Sequence, residues 1–311
     1  MESIYDETET GLTMCGIVGI YHFDEEPIDP LVIQIMTNKI HHRGPDDEGY
    51  LFYNPQTRIS QTFSGSNSMR ELSIPHLNTL TNRTTYSVAF GFKRLSILDL
   101  STAGHQPMQS QNKRYWVIYN GEIYNYLELR AELVQYGYSF ITGTDTEVLL
   151  ASYQQWGENC LHHLNGMWAF AILDTIENTL FLARDRFGIK PLYYMISKKT
   201  FSFASEIKAL VGSPNIPFVP NDAIIYDYLA KGILPGGQSD ETFFMGIKTV
   251  PPGYHLVVHP SFGIKRSRYW NFEIPHSYPN STIADASTKF REIFEDAVRL
   301  RLRSDVSIGS C

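Results

Sequence analysis

Residues 1–13 are polar and acidic with no period, and the first apolar run, CGIVGIYHF at 15–23, follows Met14 with strand character. The fold is therefore expected to begin at Cys15. Past Pro30, Leu31, Ile35 and Met36 recur at helical spacing as far as Ile40. That helix stops at His41-His42-Arg43-Gly44-Pro45-Asp46, a loop dense in turn formers and of the kind that carries function. Ser, Thr, Asn and Gln dominate residues 54–86, which predicts a mobile surface excursion without chemistry. A second helix is signalled by Asn125 with Glu128 three residues on, with Tyr126, Leu129, Leu133 and Tyr136 on one face and Gly137 past its end. A third starts near Thr144, pairs it with Glu147 and stops at Gly157.

Strand-like runs occupy 115–119, 168–173, 180–183, 192–196 and 201–204. Helix pairs among runs of strands, without strict alternation, predict an α+β fold of two sheets faced by helices. Pro and Gly punctuate residues 212–280, including Pro235-Gly236-Gly237 and Pro251-Pro252-Gly253, with a strand signal at 255–258; this stretch reads as a connecting region. Phe290, Ile293, Phe294, Ala297 and Val298 then mark an amphipathic helix, and 304–309 looks like the start of something unfinished. No internal repeat is evident.

Composition narrows the function. In 311 residues, 43% hydrophobic and 19% charged residues describe an ordinary globular chain long enough for a sizeable core. A net charge of −7 argues against nucleic acid as a partner. The one basic cluster, Arg299, Arg301 and Arg303, alternates with Leu300 and Leu302 and reads as a solvated helix face. The three cysteines, Cys15, Cys160 and Cys311, form no C-x-x-C pair, which disfavours a disulfide framework or a structural zinc site and favours a reducing cytoplasm. No apolar run approaches the length of a membrane span, and the first residues lack a signal-peptide pattern.

Cys15 on its own reads as a small buried hydrophobe in a strand. It becomes a candidate nucleophile if the chain before it is removed. Its own α-amine, with an unperturbed pKa of roughly 7.7 to 8.0, would then sit beside the thiol as a base. Asn120-Gly121 alone reads as a turn, Arg94 as a surface salt bridge and Asp145 as a helix cap. His41, His42, Asp46 and Asp47 crowd one loop without zinc-site spacing, so no metal is expected there.

Four motifs occur in order: Met14-Cys15-Gly16-Ile17-Val18-Gly19, His42-Arg43-Gly44-Pro45-Asp46, Arg94-Leu95-Ser96-Ile97 and Asn120-Gly121-Glu122-Ile123-Tyr124-Asn125. Together they resemble the class II glutamine amidotransferases, N-terminal-nucleophile hydrolases with a four-layer αββα fold. The resemblance continues through Arg184-Asp185-Arg186-Phe187-Gly188 and Ser205-Glu206-Ile207-Lys208. It implies that Cys15 attacks the side-chain amide of glutamine, giving a thioester and ammonia, and that water then releases glutamate. It implies further that the Asn120 amide and the Gly121 N–H form an oxyanion hole. Arg94 would clamp the substrate α-carboxylate, Asp145 would accept its α-ammonium, and Leu95, Ser96, Ile97, Leu98 and Glu122 would line the site. The resemblance further implies that the His42 to Asp46 motif helps frame the glutamine site, with Arg43 and Asp46 as internal ties of that loop.

The tail 301–309, together with Ser101-Thr102-Ala103-Gly104-His105-Gln106-Pro107-Met108, resembles glutamine-hydrolysing asparagine synthetases of bacterial type. Glucosamine-phosphate synthases and phosphoribosyl amidotransferases differ in their arginine-loop wording. Ser307 departs from the family, which often has proline there. The implied organisation is a leader at 1–14, a glutaminase domain at 15–212, a connecting region at 213–280 and, at 281–311, the truncated start of an ATP-pyrophosphatase α/β domain. The glutaminase half needs no cofactor; ATP and Mg²⁺ belong to the synthetase half. The partner is glutamine, with a homodimer or a separate synthetase domain as the protein-level alternatives. Three outcomes stay open: a glutaminase with Cys15 exposed, a non-catalytic glutamine-binding module with the leader retained, or a fragment whose start was placed too early. The ammonia acceptor is aspartate or another carboxylate.

Overall fold

A computed structural model describes residues 14–80, 85–211, 218–235, 239–274 and 282–309; the leader 1–13, Gly236, Gly237 and Cys311 lie outside the described residues. The chain runs through β1 (Gly16–His22), α1 (Pro30–Asn38), β2 (Asp47–Asn54), β3 (Ile59–Ser64), β4 (Val88–Arg94), β5 (Met108–Gln109) and β6 (Tyr115–Ile123). There follow α2 (Tyr126–Gln135), α3 (Asp145–Trp156), α4 (Cys160–His163), β7 (Gly166–Asp174), β8 (Thr179–Arg184), β9 (Tyr193–Ser197), β10 (Thr200–Ala204) and α5 (Ile207–Val211). The last elements are α6 (Asp222–Lys231), β11 (Ile247–Thr249), β12 (Tyr254–His259), β13 (Gly263–Arg268) and α7 (Ile283–Arg301).

Antiparallel pairing sorts the strands into a seven-stranded sheet, β11-β9-β10-β1-β4-β2-β3, and a six-stranded sheet, β13-β12-β8-β7-β6-β5. Alternation along each strand divides its side chains between two cores. Ile17 and Tyr21 of β1 meet Ile118 of β6 and Ala171 of β7 between the sheets, whereas Val18 and Ile20 turn out toward Ile33 and Met36 of α1. Val117 and Phe170 face Leu129, Leu133, Val148 and Leu161 of the helices on the other side. Four layers, αββα, result, and strands buried on both faces explain why β1 reads as a continuous apolar run.

The helices end where local chemistry stops them. Asp29 caps α1, its carboxylate accepting from Leu31 N–H at 2.9 Å, and Pro30 at the first position has no N–H to lose. Thr144 caps α3 through Glu147 N–H at 3.2 Å, and Gly157 closes it at a φ of 58°. In α1 the buried face is Ile33 and Met36, while Leu31 is exposed. Asn125 makes no capping bond to α2; its side chain instead bonds the carbonyl of His163 and the N–H of Asn165. Tyr136 is exposed rather than on the buried face of α2.

Residues 54–86 are more ordered in purpose than their polarity suggests. β3 pairs with β2 from Gly49↔Ser64 to Asn54↔Ile59, and the loop after it is tied back to buried acceptors. Asn67 N–H reaches the Glu48 carboxylate at 3.0 Å and Met69 N–H the Asp47 carboxylate at 3.0 Å. Those donors are main-chain amides, and the polar composition adds Ser68 Oγ, which donates to the Glu48 carbonyl at 2.5 Å; residues 81–84 lie outside the described residues. Within 213–280, β11 joins β9 and β12 joins β8, so this stretch extends both sheets, and α6 appears where no helix was expected. The apolar stripe of α7 remains exposed at Phe290, Ile293 and Phe294. The basic cluster is in part the solvated face expected: Arg299 and Arg301 are exposed, although Arg301 also stacks on Tyr124 at 4.6 Å, whereas Arg303, past the helix end, is half-buried and grips the Glu128 carboxylate at 2.5 and 2.6 Å.

Candidate functional site

Cys15 immediately precedes β1, which pairs with β4 so that Gly16 lies opposite Lys93; the following segment, from Arg94, passes directly over the thiol. The Sγ atom lies 3.4 Å from the N–H of Leu95 and 3.5 Å from its carbonyl. A cavity of about 60 Å³ opens beside it, lined in part by Met14, Arg94, Leu95, Asn120, Gly121, Asp145 and Lys190. Burial pushes the Cys15 thiol up; the Leu95 N–H and the cations Lys190 and Arg94 pull it down by less. The resting group is a thiol, so a nucleophilic role requires a base.

Two of the sequence motifs hold the backbone at Cys15 and at Ile17 two residues on. Arg43 Nε donates to the Cys15 carbonyl at 3.0 Å and Nη1 to Glu206 at 2.8 Å, while Ser205 Oγ accepts from Ile17 N–H at 3.0 Å. Asp46 accepts from Ser96 N–H at 2.7 Å. Arg43 and Asp46 are therefore ties between their loop and the site, not within the loop. Among the described residues no group of three or more His, Cys, Asp or Glu side chains is placed to hold a metal ion.

Asn120 and Gly121 lie within β6, paired with Ala169 and Trp168 of β7, so they are not a turn. A Cβ at Gly121 would fall 2.3 Å from the Met167 carbonyl oxygen, and glycine alone permits this approach. Asn120 is 1% exposed, and its Nδ2 has no hydrogen-bond partner among the described residues. A buried donor left unpaired costs about 1–3 kcal/mol, so its persistence beside a thiol points to a ligand.

Arg94 is 4% exposed and forms no ion pair among the described residues, which removes the surface salt-bridge alternative. Its guanidinium donates to the carbonyls of Ser101 at 2.9 Å, Leu98 at 3.2 Å and Asp99. Gly104 makes room for it, since a Cβ there would lie 1.8 Å from Nη2. Asp145, the first residue of α3, is 5% exposed and accepts from Tyr119 OH and Ile123 N–H, both at 2.9 Å. Burial raises its carboxyl to about 6 against those bonds. Thr144 performs the capping, which frees Asp145 from that role. Glu122 also lines the cavity and is pushed up to about 7, by burial first and then by Asp145.

Leu95, Ile97 and Leu98 line the cavity, whereas Ser96 is absent from its wall. Sequence reasoning missed Lys190, Tyr119 and Gln106. Lys190 is 5% exposed, with Nζ 2.7 Å from Met14 Sδ, and burial lowers its pKa while the Cys15 thiol opposes that shift. Asp185 fixes its backbone by accepting from Phe187, Ile189 and Lys190 N–H at 2.9–3.0 Å. A lysine in the otherwise apolar stretch 188–192 was the available signal.

An αββα sandwich with a cysteine at the head of a central strand, an orphaned amide beside it and a glycine in close contact next to that amide defines a glutamine amidotransferase domain. The chain belongs to that family, whose model matches residues 78–270, more than half of the chain and C-terminal to Cys15. It is 36% identical over 305 residues to glutamine-hydrolyzing asparagine synthetase 1 of Bacillus subtilis strain 168, covering 96% of this chain and 41% of that protein. It is 34% identical over 315 residues to a putative glutamine-hydrolyzing asparagine synthetase 2 of Methanocaldococcus jannaschii, covering 96% and 54%. The chain thus spans about half or less of the length of these relatives. The fold is that of glutamine phosphoribosylpyrophosphate amidotransferase from B. subtilis, with a TM-score of 0.59 at 22% identity over 82% of this chain and 49% of that one.

Proposed function

We propose that this domain hydrolyses glutamine through Cys15. The observation that carries the proposal is the unpartnered Asn120 Nδ2 in a cavity with the thiol, flanked by a guanidinium without a carboxylate partner and a buried carboxylate. Arg94 would take the α-carboxylate and Asp145 the α-ammonium, leaving the side-chain amide toward Cys15, with Leu95, Ile97, Leu98 and Glu122 as walls. Sγ attacks the amide carbon as its proton passes to the Cys15 α-amine. The oxyanion accepts from Asn120 Nδ2 and Gly121 N–H. The C–N bond then breaks, the α-amine returns the proton to the leaving nitrogen, and ammonia departs from a thioester. Water attacks the thioester, giving glutamate and the thiol.

This route needs a free α-amine at Cys15. Protein beginning at Cys15 is expected to release glutamate and ammonia in equal amounts from glutamine. Such protein, with the terminus verified by mass and no product formed, would sink the proposal. A second alternative has its own support: with Met14 in place, its side chain lines the cavity beside Lys190. A chain that keeps its leader would then act as a glutamine-binding module. We further propose that the ammonia serves ATP- and Mg²⁺-dependent aspartate amidation by a synthetase half, since the relatives carry asparagine synthetase names; another carboxylate acceptor is the alternative. No described helix is long and apolar enough to cross a membrane, and the cytoplasm is the proposed compartment.

A further inference from the structure

Asp99 is a junction that the mechanism above does not use. It sits at a φ of 53°, a backbone region that non-glycine residues visit rarely and Asp more often than most. Its carbonyl accepts from Arg94 Nη2. Its carboxylate accepts from Ser101 Oγ at 2.5 Å and from Gly143 N–H at 2.9 Å, two residues before Asp145. One residue thus touches both the guanidinium at one end of the site and the turn that leads to the carboxylate at the other. Burdened with a left-handed backbone and only half-buried, it needs support from outside the loop.

That support comes from 206 residues away. Asp305 accepts from Asp99 N–H at 2.8 Å, and its own N–H donates to the Ile97 carbonyl at 3.0 Å. The two bonds lie across the loop like a clip. The segment before it is anchored independently, by Arg303 on Glu128 and on the Tyr124 carbonyl at 2.6 Å. Tyr124 directly follows the Asn120-Gly121 strand and Glu128 lies in the first turn of α2, so the tail bridges the Arg94 loop and the β6 end of the cavity.

We propose that Asp305 is a positioning residue for the glutamine site: it holds Asp99 in the conformation from which the loop carbonyls orient the Arg94 guanidinium. The inference rests on the assignment of Arg94 to the α-carboxylate. It makes affinity for glutamine depend on how firmly residues 303–305 are docked, and hence on whatever the chain beyond them packs against.

Asp305→Ala removes the carboxylate acceptor, whereas Asp305→Asn keeps an acceptor oxygen. Amide hydrogen exchange over residues 95–104 reads the clip without any need for catalysis, and calorimetry with glutamine on a Cys15→Ala background reads the site without turnover. For Asp305→Ala, the loop amides should exchange faster and the glutamine Kd should rise about five- to tenfold, the equivalent of one lost hydrogen bond. In protein beginning at Cys15, KM should rise by the same factor with kcat changed less than about twofold, since the contact is uniform to ground and transition states. Asp305→Asn should restore most of both. Unchanged exchange in Asp305→Ala overturns the proposal, as does faster exchange with unchanged Kd. Absence of glutamine binding in the Asp305 parent would instead overturn the site assignment beneath it.

Discussion

Replacing Asn120 by alanine separates catalysis from stability in a way that few buried substitutions do. Nδ2 has no partner among the described residues, so its removal relieves a desolvated donor that costs about 1–3 kcal/mol. The void left by one amide group, at about 24 cal/mol per Å³, costs less than about 1 kcal/mol. Global stability should therefore stay level or rise by up to about 2 kcal/mol, against the usual loss for a polar-to-alanine change in a fully paired strand. Catalysis moves the other way. Losing one oxyanion donor raises the barrier by roughly 2.7–4 kcal/mol, so kcat should fall about 10²- to 10³-fold with little change in KM. Both are measurable on one preparation beginning at Cys15: urea unfolding for stability, and coupled glutamate detection for rate. A kcat within tenfold of the parent, or a stability loss beyond about 2 kcal/mol, would mean that the amide holds the fold together and does not meet an oxyanion.

Asp145, raised to about 6 from 3.8 by burial, predicts a pH signature. Between those values the unfolded chain releases the proton while the folded chain keeps it, so this residue subtracts stability as pH rises through the window. At pH 7 the cost amounts to about 2–3 kcal/mol. Asp145→Asn should flatten urea-unfolding stability between pH 4 and 6 and raise it at pH 7; an unchanged profile refutes the shift. Glutamine affinity should weaken as pH falls below about 6, because only the carboxylate pairs with an ammonium. Lys93 is wholly buried against Glu48, whose side chain is 2% exposed. Lys93→Met should lose about 3–5 kcal/mol by leaving a buried carboxylate unpaired, and adding Glu48→Gln should recover most of it; a single variant as stable as the parent contradicts the pairing.

The sequence made some of this legible because certain physics is local. Thr144 with Glu147, and Gly157 thirteen residues after Thr144, announce α3 through capping chemistry that needs no tertiary partner. β1, β6, β7 and β8 were legible because burial on both faces leaves continuous apolar runs, whereas β2 and β4, buried at every residue, were not read as strands because Asp47, Glu48, Lys93 and Arg94 break their apolar pattern. What stayed hidden depends on distant partners. β3 is mostly polar, with Phe63 its one buried side chain, and its register with β2 makes it a strand. Arg94 reads as a surface cation until Gly104 and three carbonyls close around it. Lys190 belongs to the site because Asp185 folds its turn beside Cys15, a contact with no trace in local periodicity.

Cys15 is held in a state that argues for its own activation step. Burial raises the thiol, yet the groups around it are arranged for an anionic intermediate: Leu95 N–H at Sγ, Lys190 and Arg94 nearby, Asn120 Nδ2 without a partner. A buried site built to accept negative charge and occupied by a neutral thiol lacks only the proton acceptor. Among the described residues no histidine lines the cavity, and of its two carboxyls Asp145 is assigned to the substrate ammonium while Glu122 is pushed up to about 7. Asp145 is further committed to Tyr119 and Ile123. The base proposed above, attached to the same residue as the thiol, is the amine that appears when the peptide bond between Met14 and Cys15 is gone. Its removal also takes the Met14 thioether away from Lys190, leaving an ammonium beside the new amine. A neighbouring cation lowers the pKa of an amine, and a lower pKa raises the unprotonated fraction at neutral pH. Loss of the residue before Cys15 would therefore supply the base and tune it in one event.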